Sequence, residues 1–317
     1  MYEQFYGFQE KPFNVTPDTK FFFSSEKHEE ALNSLRYAIE ERKGFVVVTG
    51  EIGSGKTTVW HALINQLPRS TKVALITNTH LTAKQMLMAI LDELEVTYKE
   101  HWSKVKLLNI LNNYLIDQIL DDCHVVLILD EAQNLSRKVL EEVRMLSNLE
   151  TEKEKLIQII LMGQPELKDI FASKALEQLR QRIAVYYHLT PLNKQETDQY
   201  ISHRLGVSGS NGSAIFDAEA LELIYRYSDG VPRRINTLCD RALLTGFLRD
   251  RKPVTGRIVE EVAAEIEELA PAPAPRVQNN PQPGKRNSRR KNGRGAEVQY
   301  PVMAMSGYCE EGVWRYI

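Results

Sequence analysis

The sequence predicts an α/β protein: a three-layer αβα sandwich built on a mostly parallel sheet, followed by a smaller all-helical domain. Three observations carry this. Short β-branched runs without polar alternation recur up to Pro191, each separated from the next by a helical pattern. A glycine-rich turn ending in Lys-Thr joins one of these runs directly to a helix. Beyond Pro191 the strand-like runs cease and only helical periodicity remains.

Taken in order, residues 26 to 42 place Ala31, Leu32, Leu35, Ala38 and Ile39 at helical spacing behind Ser24 and Ser25 as cap candidates, and Gly44 is expected to end this helix. A buried strand follows at 45–49. Further strands are expected at 73–77, 125–129, 156–161 and 184–189, separated by helices at 83–94, 104–120 and 136–149. Strands joined by helical crossovers form a parallel sheet covered on both faces, with ligands at the carboxyl ends of the strands. The second domain is predicted as helices at 194–205, 217–228, 232–248 and 255–269, with the Gly/Ser-rich loop 206–213 inside it. No internal repeat is present. The expected division is therefore 1–190 for the strand-containing α/β domain, 191–269 for the helical domain and 270–317 for a tail.

Composition narrows the class. Hydrophobic residues make up 43% and charged residues 26%, which excludes fibrous chains and wholesale disorder. The net charge of −2 hides an asymmetry: after Ala270 there are eight Lys and Arg against three acids, a balance of +5, so the preceding part carries −7. The tail places its cations among Pro, Asn and Gly and cannot bury a core, so it is expected to be disordered. Cys123, Cys239 and Cys309 lie far apart without CxxC spacing, and no stretch reaches 18 apolar residues. A soluble chain in the reducing cytoplasm, with no membrane span, is the expectation.

The strongest chemical signal is Gly50-Glu51-Ile52-Gly53-Ser54-Gly55-Lys56-Thr57, a GxxxxGK[ST] pattern lying between a strand and a helix, with Thr58 following. Glycines let backbone N–H groups turn inward around phosphate oxygens, and the helix presents its positive end to the same anion. Lys56 adds a point charge for the β- and γ-oxygens, and Thr57 offers a hydroxyl to Mg2+. A second signal is the apolar strand Val125–Leu129 ending in Asp130-Glu131. A carboxylate at the carboxyl end of a buried strand is placed to hold Mg2+, which makes Asp130 the metal candidate, and Glu131 is the candidate to polarise an attacking water.

These residues resemble the P-loop NTPases of the AAA+ type, and within them the ATPases of general secretion pathway protein A (ExeA-like) and of MSHA pilus biogenesis (MshM-like). Over residues 1 to 268 the resemblance rests on Tyr6-Gly7-Phe8 with Lys11-Pro12-Phe13, the 50–58 loop, Leu129-Asp130-Glu131-Ala132-Gln133-Asn134-Leu135, Ser147-Asn148-Leu149-Glu150, Gly163-Gln164-Pro165-Glu166-Leu167 and Gly230-Val231-Pro232-Arg233-Arg234-Ile235-Asn236. It implies ATP and Mg2+ as cofactors, a helical lid, and a sheet in which the 156–161 strand lies between the two motif strands. It also implies Gln164 as the sensor of the γ-phosphate, Arg182, in preference to Arg180, as an arginine finger inserted into a neighbouring subunit, and Arg233 as the lid's second sensor. The aromatics Phe5, Tyr6, Phe8 and Phe13 are left open between flanking an adenine and packing a core. Longer members of the family continue into a transmembrane helix and a peptidoglycan-binding domain; neither is found in these 317 residues, and direct cell-wall contact is not expected.

Two functional readings follow. One is an ATP-hydrolysing, homo-oligomerising assembly factor for a secretion or pilus system. The other is a nucleic-acid-associated ATPase switch of the transposition-helper (TniB-like) type, using the basic tail.

Overall fold

The computed structural model describes residues 1–14, 18–151, 154–210 and 214–269. The tail expectation, including Cys309, lies outside the described residues.

The chain opens with a short helix, α1 (Tyr2–Tyr6), and then α2 (Glu26–Glu40). Ser25 caps α2, its side chain accepting from the His28 N–H. The helix ends two residues earlier than expected, and not through Gly44: Arg42 itself takes the left-handed conformation at φ 48°. The Lys43 N–H then reaches back to the Ala38 carbonyl at 2.9 Å, satisfying one of the last helical acceptors.

There follow β1 (Phe45–Gly50), α3 (Lys56–Gln66), β2 (Thr71–Ile76), α4 (Ala83–Glu93), α5 (Lys104–Leu120), β3 (His124–Leu129), α6 (Arg137–Leu146) and β4 (Gln158–Gly163). Two short helices, α7 (Glu166–Ala172) and α8 (Glu177–Arg180), precede β5 (Ile183–Leu189). Neither has enough turns to generate a readable period. The five strands form one parallel sheet in the order β2-β3-β4-β1-β5. As expected, β4 lies between the strand that leads into the glycine loop and the strand that ends in Asp130.

Burial explains why the central strands lacked polar alternation. Every residue of β1 and β4 is buried. Phe45, Val47, Leu127, Leu129, Ile159 and Leu161 pack with the layer of α4, α5 and α6, while Val46, Val48, Val126, Ile128, Ile160 and Met162 pack with α2 and α3. A central strand with two apolar faces has no polar face to show. The edge strands β2 and β5 are only half covered and alternate accordingly.

The later helices, α9 (Lys194–Val207), α10 (Ala218–Ser228), α11 (Pro232–Leu248) and α12 (Gly256–Leu269), enclose a separate core. Tyr2, Tyr6, Phe8 and Phe13 are buried within that core, which resolves the open choice for Tyr6, Phe8 and Phe13 in favour of packing. Phe5 packs against its margin. The first residues of the chain, assigned by sequence to 1–190, thus pack with the helices that follow Leu192. Aromatic residues near a terminus carry no periodicity that names their partner.

Candidate functional site

The glycine loop spans the end of β1 and the start of α3. Gly53 and Gly55 adopt φ of 82° and 100°, which other residues rarely reach and which is the backbone form that lets loop amides turn toward an anion. Glu51 and Ile52 are exposed, Ser54 is buried, and Thr57 and Thr58 occupy the half-buried first turn of α3. Lys56 is only 6% exposed, and its ammonium donates to the carbonyls of Gly50 at 2.7 Å and Glu51 at 3.0 Å. Burial pushes its pKa below the usual lysine value, against the opposing pull of Glu131 and Asp130. One of its three donors remains for a ligand.

Asp130 and Glu131 sit at the carboxyl end of β3. Asp130 is buried, burial raises its pKa, and its Oδ1 accepts the Glu131 N–H at 2.9 Å. Glu131 is held in the left-handed region at φ 50°, a conformation that costs a non-glycine residue free energy and persists where its surroundings fix it. Here the Thr79 hydroxyl and the Asn134 N–H both donate to its carbonyl, at 3.2 and 3.0 Å. Its carboxylate Oε2 accepts from Gln133 Nε2 at 2.5 Å and from Gln164 Nε2 at 3.2 Å.

Gln164 follows β4 directly, so the sheet order brings it beside Glu131. Arg233 opens α11 and comes from the helical part: its N–H donates to the Gly53 carbonyl at 3.3 Å. A Cβ built on Gly53 would lie 2.5 Å from the Cβ of Arg233, so the start of α11 rests directly on the loop. Lys56, Asp130, Glu131, Gln164 and Arg233 thus gather around the carboxyl ends of the central strands. Arg182 does not join them. Its carbonyl accepts from the N–H of Phe45, the first residue of β1, at 3.3 Å. At ~3.3 Å per residue, that puts it about 16 Å from Gly50, at the opposite end of the strand. Its guanidinium donates to Ser147 Oγ at 3.2 Å, while Arg180 is exposed.

Three residues of the site were missed by sequence reading. Gln133 and Thr79 hold Glu131 as described. His28 lies under the loop: its Nδ1 is 2.6 Å from Ser25 Oγ, and a Cβ on Gly55 would come within 2.8 Å of its Nε2. The signal for His28 was available, because it lies four residues before Leu32 and seven before Leu35, on the buried stripe of α2.

The donor set suits a hard cation delivered with phosphate. Asp130 and Thr57 supply oxygen only, and among the described residues no group of three or more His, Cys, Asp or Glu forms a cage for a metal of its own. No helix among the described residues is long and apolar enough to cross a membrane, and Cys123 and Cys239 are free thiols.

Residues 39–171 match the model of the AAA domain. General secretion pathway protein A of Aeromonas hydrophila is 41% identical over 266 residues, covering 84% of this chain and 48% of that protein, so the chain spans about half the length of this curated relative. Among solved structures, the Aeropyrum pernix ORC2 protein in its ADPNP and ADP complexes superposes with a TM-score of 0.60, at 15% identity over 80% of this chain and 73% of that one. Drosophila ORC bound to DNA superposes with a TM-score of 0.64, at 20% identity over 86% and 67%. At these identities the two structures share the fold.

Proposed function

Residues 39–171 belong to the AAA domain family and the chain is a relative of general secretion pathway protein A; from that premise we propose that it binds ATP and hydrolyses it to ADP and phosphate. The observation that carries this reading is the convergence of Lys56, Asp130, Glu131 and Gln164 at the ends of three adjacent strands. Loop amides and Lys56 bind the β- and γ-phosphates, with Lys56 exchanging a loop carbonyl for phosphate oxygen. Asp130 and Thr57 would hold Mg2+, which would supply charge neutralisation to the bound phosphates. Glu131 orients the attacking water and accepts its proton, while Gln164 contacts the γ-phosphate. Arg233 joins from the lid, so that nucleotide ties the two cores together.

Hydrolysis in this reading depends on assembly, because Arg182 reaches a nucleotide only in a neighbouring copy. Relatedness to general secretion pathway protein A supports a role as a cytoplasmic oligomerising assembly factor for a secretion or pilus system. The test is steady-state ATP turnover by purified wild type, Glu131→Gln and Lys56→Ala. Glu131→Gln is expected to lose at least 100-fold in kcat, by analogy with a lost general base, ~10²–10⁴, while still binding ATP; Lys56→Ala is expected to lose binding. Wild-type turnover in Glu131→Gln would sink the reading.

The basic balance of +5 after Ala270 favours a second reading, in which ATP controls association with nucleic acid. Duplex DNA binding that weakens steeply with salt, and that vanishes on truncation at Ala270, is its signature; no binding at low salt removes it.

A further inference from the structure

We infer that Gln133 is a positioning residue that couples Gln164 to Glu131. The inference rests on the hydrolytic reading above and extends it to a residue outside the phosphate loop and the two acids.

The geometry is a closed set of three hydrogen bonds. The Gln133 amide nitrogen donates to Glu131 Oε2 at 2.5 Å, and its carbonyl Oε1 accepts the backbone N–H of Gln164 at 3.1 Å. The Gln164 side-chain amide closes the set by donating to the same Glu131 oxygen at 3.2 Å. One amide therefore spans the tips of β3 and β4. The amide supplies on one side chain both the donor and the acceptor this span needs; a carboxylate would offer no donor to Glu131, and a hydrocarbon would offer neither.

The surroundings are shaped to the same contact. A Cβ on Gly163, the last residue of β4, would lie 2.6 Å from Gln133 Oε1, so the strand leaves the space that the amide fills. Gln133 itself sits on a single turn of 3-10 helix, Ala132–Asn134, that starts from the left-handed Glu131. That turn aims the Gln133 side chain back at the residue two before it. When Gln164 turns its side chain to the γ-phosphate, Glu131 loses one of its two amide donors. The Gln133 bond remains, keeping the carboxylate in register, while the Gln133 carbonyl still anchors the Gln164 backbone.

The test uses full-length protein carrying Gln133→Met, which keeps the side-chain length and removes both hydrogen bonds. The expected result is a loss of about tenfold or more in kcat with KM for ATP rising several-fold, so that the larger share of the loss falls on the transition state. Adding Gln164→Met is expected to give less than the product of the two single losses, because the two side chains act through one carboxylate. A readout independent of turnover is the affinity for AMP-PNP relative to ADP, measured by calorimetry. It should fall several-fold in Gln133→Met, with ADP affinity unchanged, because Gln164 loses its anchor. Gly163→Ala, which pushes on the amide from the other side, should reproduce the kcat loss.

Wild-type kcat and an unchanged AMP-PNP to ADP ratio in Gln133→Met would overturn the inference, as would fully multiplicative losses in the double variant. These outcomes are separable from failure of the hydrolytic reading. If Glu131→Gln is inactive while Gln133→Met behaves as wild type, hydrolysis stands and the coupling falls. If wild type turns over no ATP, the nucleotide-affinity ratio still decides the coupling.

Discussion

The backbone N–H of Arg233 donates to the carbonyl of Gly53, so the first turn of α11 is bonded to the loop that would hold phosphate. The Arg233 guanidinium is exposed and makes no ion pair among the described residues, whereas its neighbour Arg234 pairs with Asp229 at 2.8 Å. Arg233→Ala is therefore expected to weaken ATP binding about tenfold, or roughly 1.4 kcal/mol. Arg234→Ala should stay within about twofold of wild type, since exposed ion pairs contribute little. Calorimetric titration of both variants separates the two arginines.

His28 predicts a pH dependence of stability. Burial pushes its imidazole below the usual histidine value, opposed by the Ser54 backbone and by the charge of Glu196. The unfolded chain has its histidine near a pKa of ~6.5. Below that pH the unfolded state takes up a proton that the folded state resists, so stability falls as pH falls through the window beneath ~6.5. Wild type should lose more unfolding free energy between pH 7.5 and 5.5 than His28→Gln. Equal losses in urea denaturation would remove His28 as the cause.

Much of this was legible before the fold was seen, for identifiable reasons. The glycine loop announces itself because its chemistry needs fixed residues at fixed spacing, and the buried strands because two covered faces leave a run of β-branched residues. The order β2-β3-β4-β1-β5 is not written in any local run; resemblance implied only that the 156–161 strand lies between the two motif strands, as β4 does, and the places of β2 and β5 had no signal. Gln133 escaped because its role depends on what stands across the gap to β4. Tyr2 escaped, and Phe8 was left open, because their partners are about 200 residues away, on helices whose own pattern shows only that they bury something.

Arg182 sets a prediction about assembly. Lying at the far end of β1 from Gly50, it has no route to the loop of its own chain. Arg182→Ala is expected to bind ATP normally and to lose roughly 10³-fold in turnover, the magnitude associated with such an arginine. Mixing it with Lys56→Ala, which retains the arginine but cannot bind nucleotide, should restore measurable turnover. Arg180→Ala, altering an exposed residue, should turn over ATP normally. A silent Arg180→Ala beside an active Arg182→Ala would transfer the role to Arg180, and no recovery on mixing would argue against an arginine supplied between copies.

Arg204 sets the last prediction, one of stability. It is 6% exposed, and its guanidinium donates to the carbonyls of Pro12 at 2.6 Å and Asn14 at 3.2 Å and to the Tyr200 hydroxyl at 2.8 Å, with its carbon 4.9 Å from the Phe21 ring centre. No carboxylate pairs with it among the described residues, so two carbonyl oxygens, the Tyr200 hydroxyl and the Phe21 and Tyr200 rings carry the compensation for burying the charge. The same bonds tie the first 14 residues to α9, and with them the aromatics that complete the helical core. Arg204→Met keeps much of the packing but orphans the buried Pro12 carbonyl, at about 1–3 kcal/mol when left unpaired, and gives up the more exposed bond to the Asn14 carbonyl. A total near 3 kcal/mol corresponds to a fall in Tm of roughly 6–12 °C for a domain of this size. Lysine cannot reproduce the fork, since one ammonium cannot span acceptors that Nε, Nη1 and Nη2 reach separately, and Arg204→Lys should recover less than half of the loss. The readout is thermal unfolding followed by circular dichroism, together with limited proteolysis near the amino terminus. Wild-type Tm in Arg204→Met would show that the aromatic packing alone holds the segment in place.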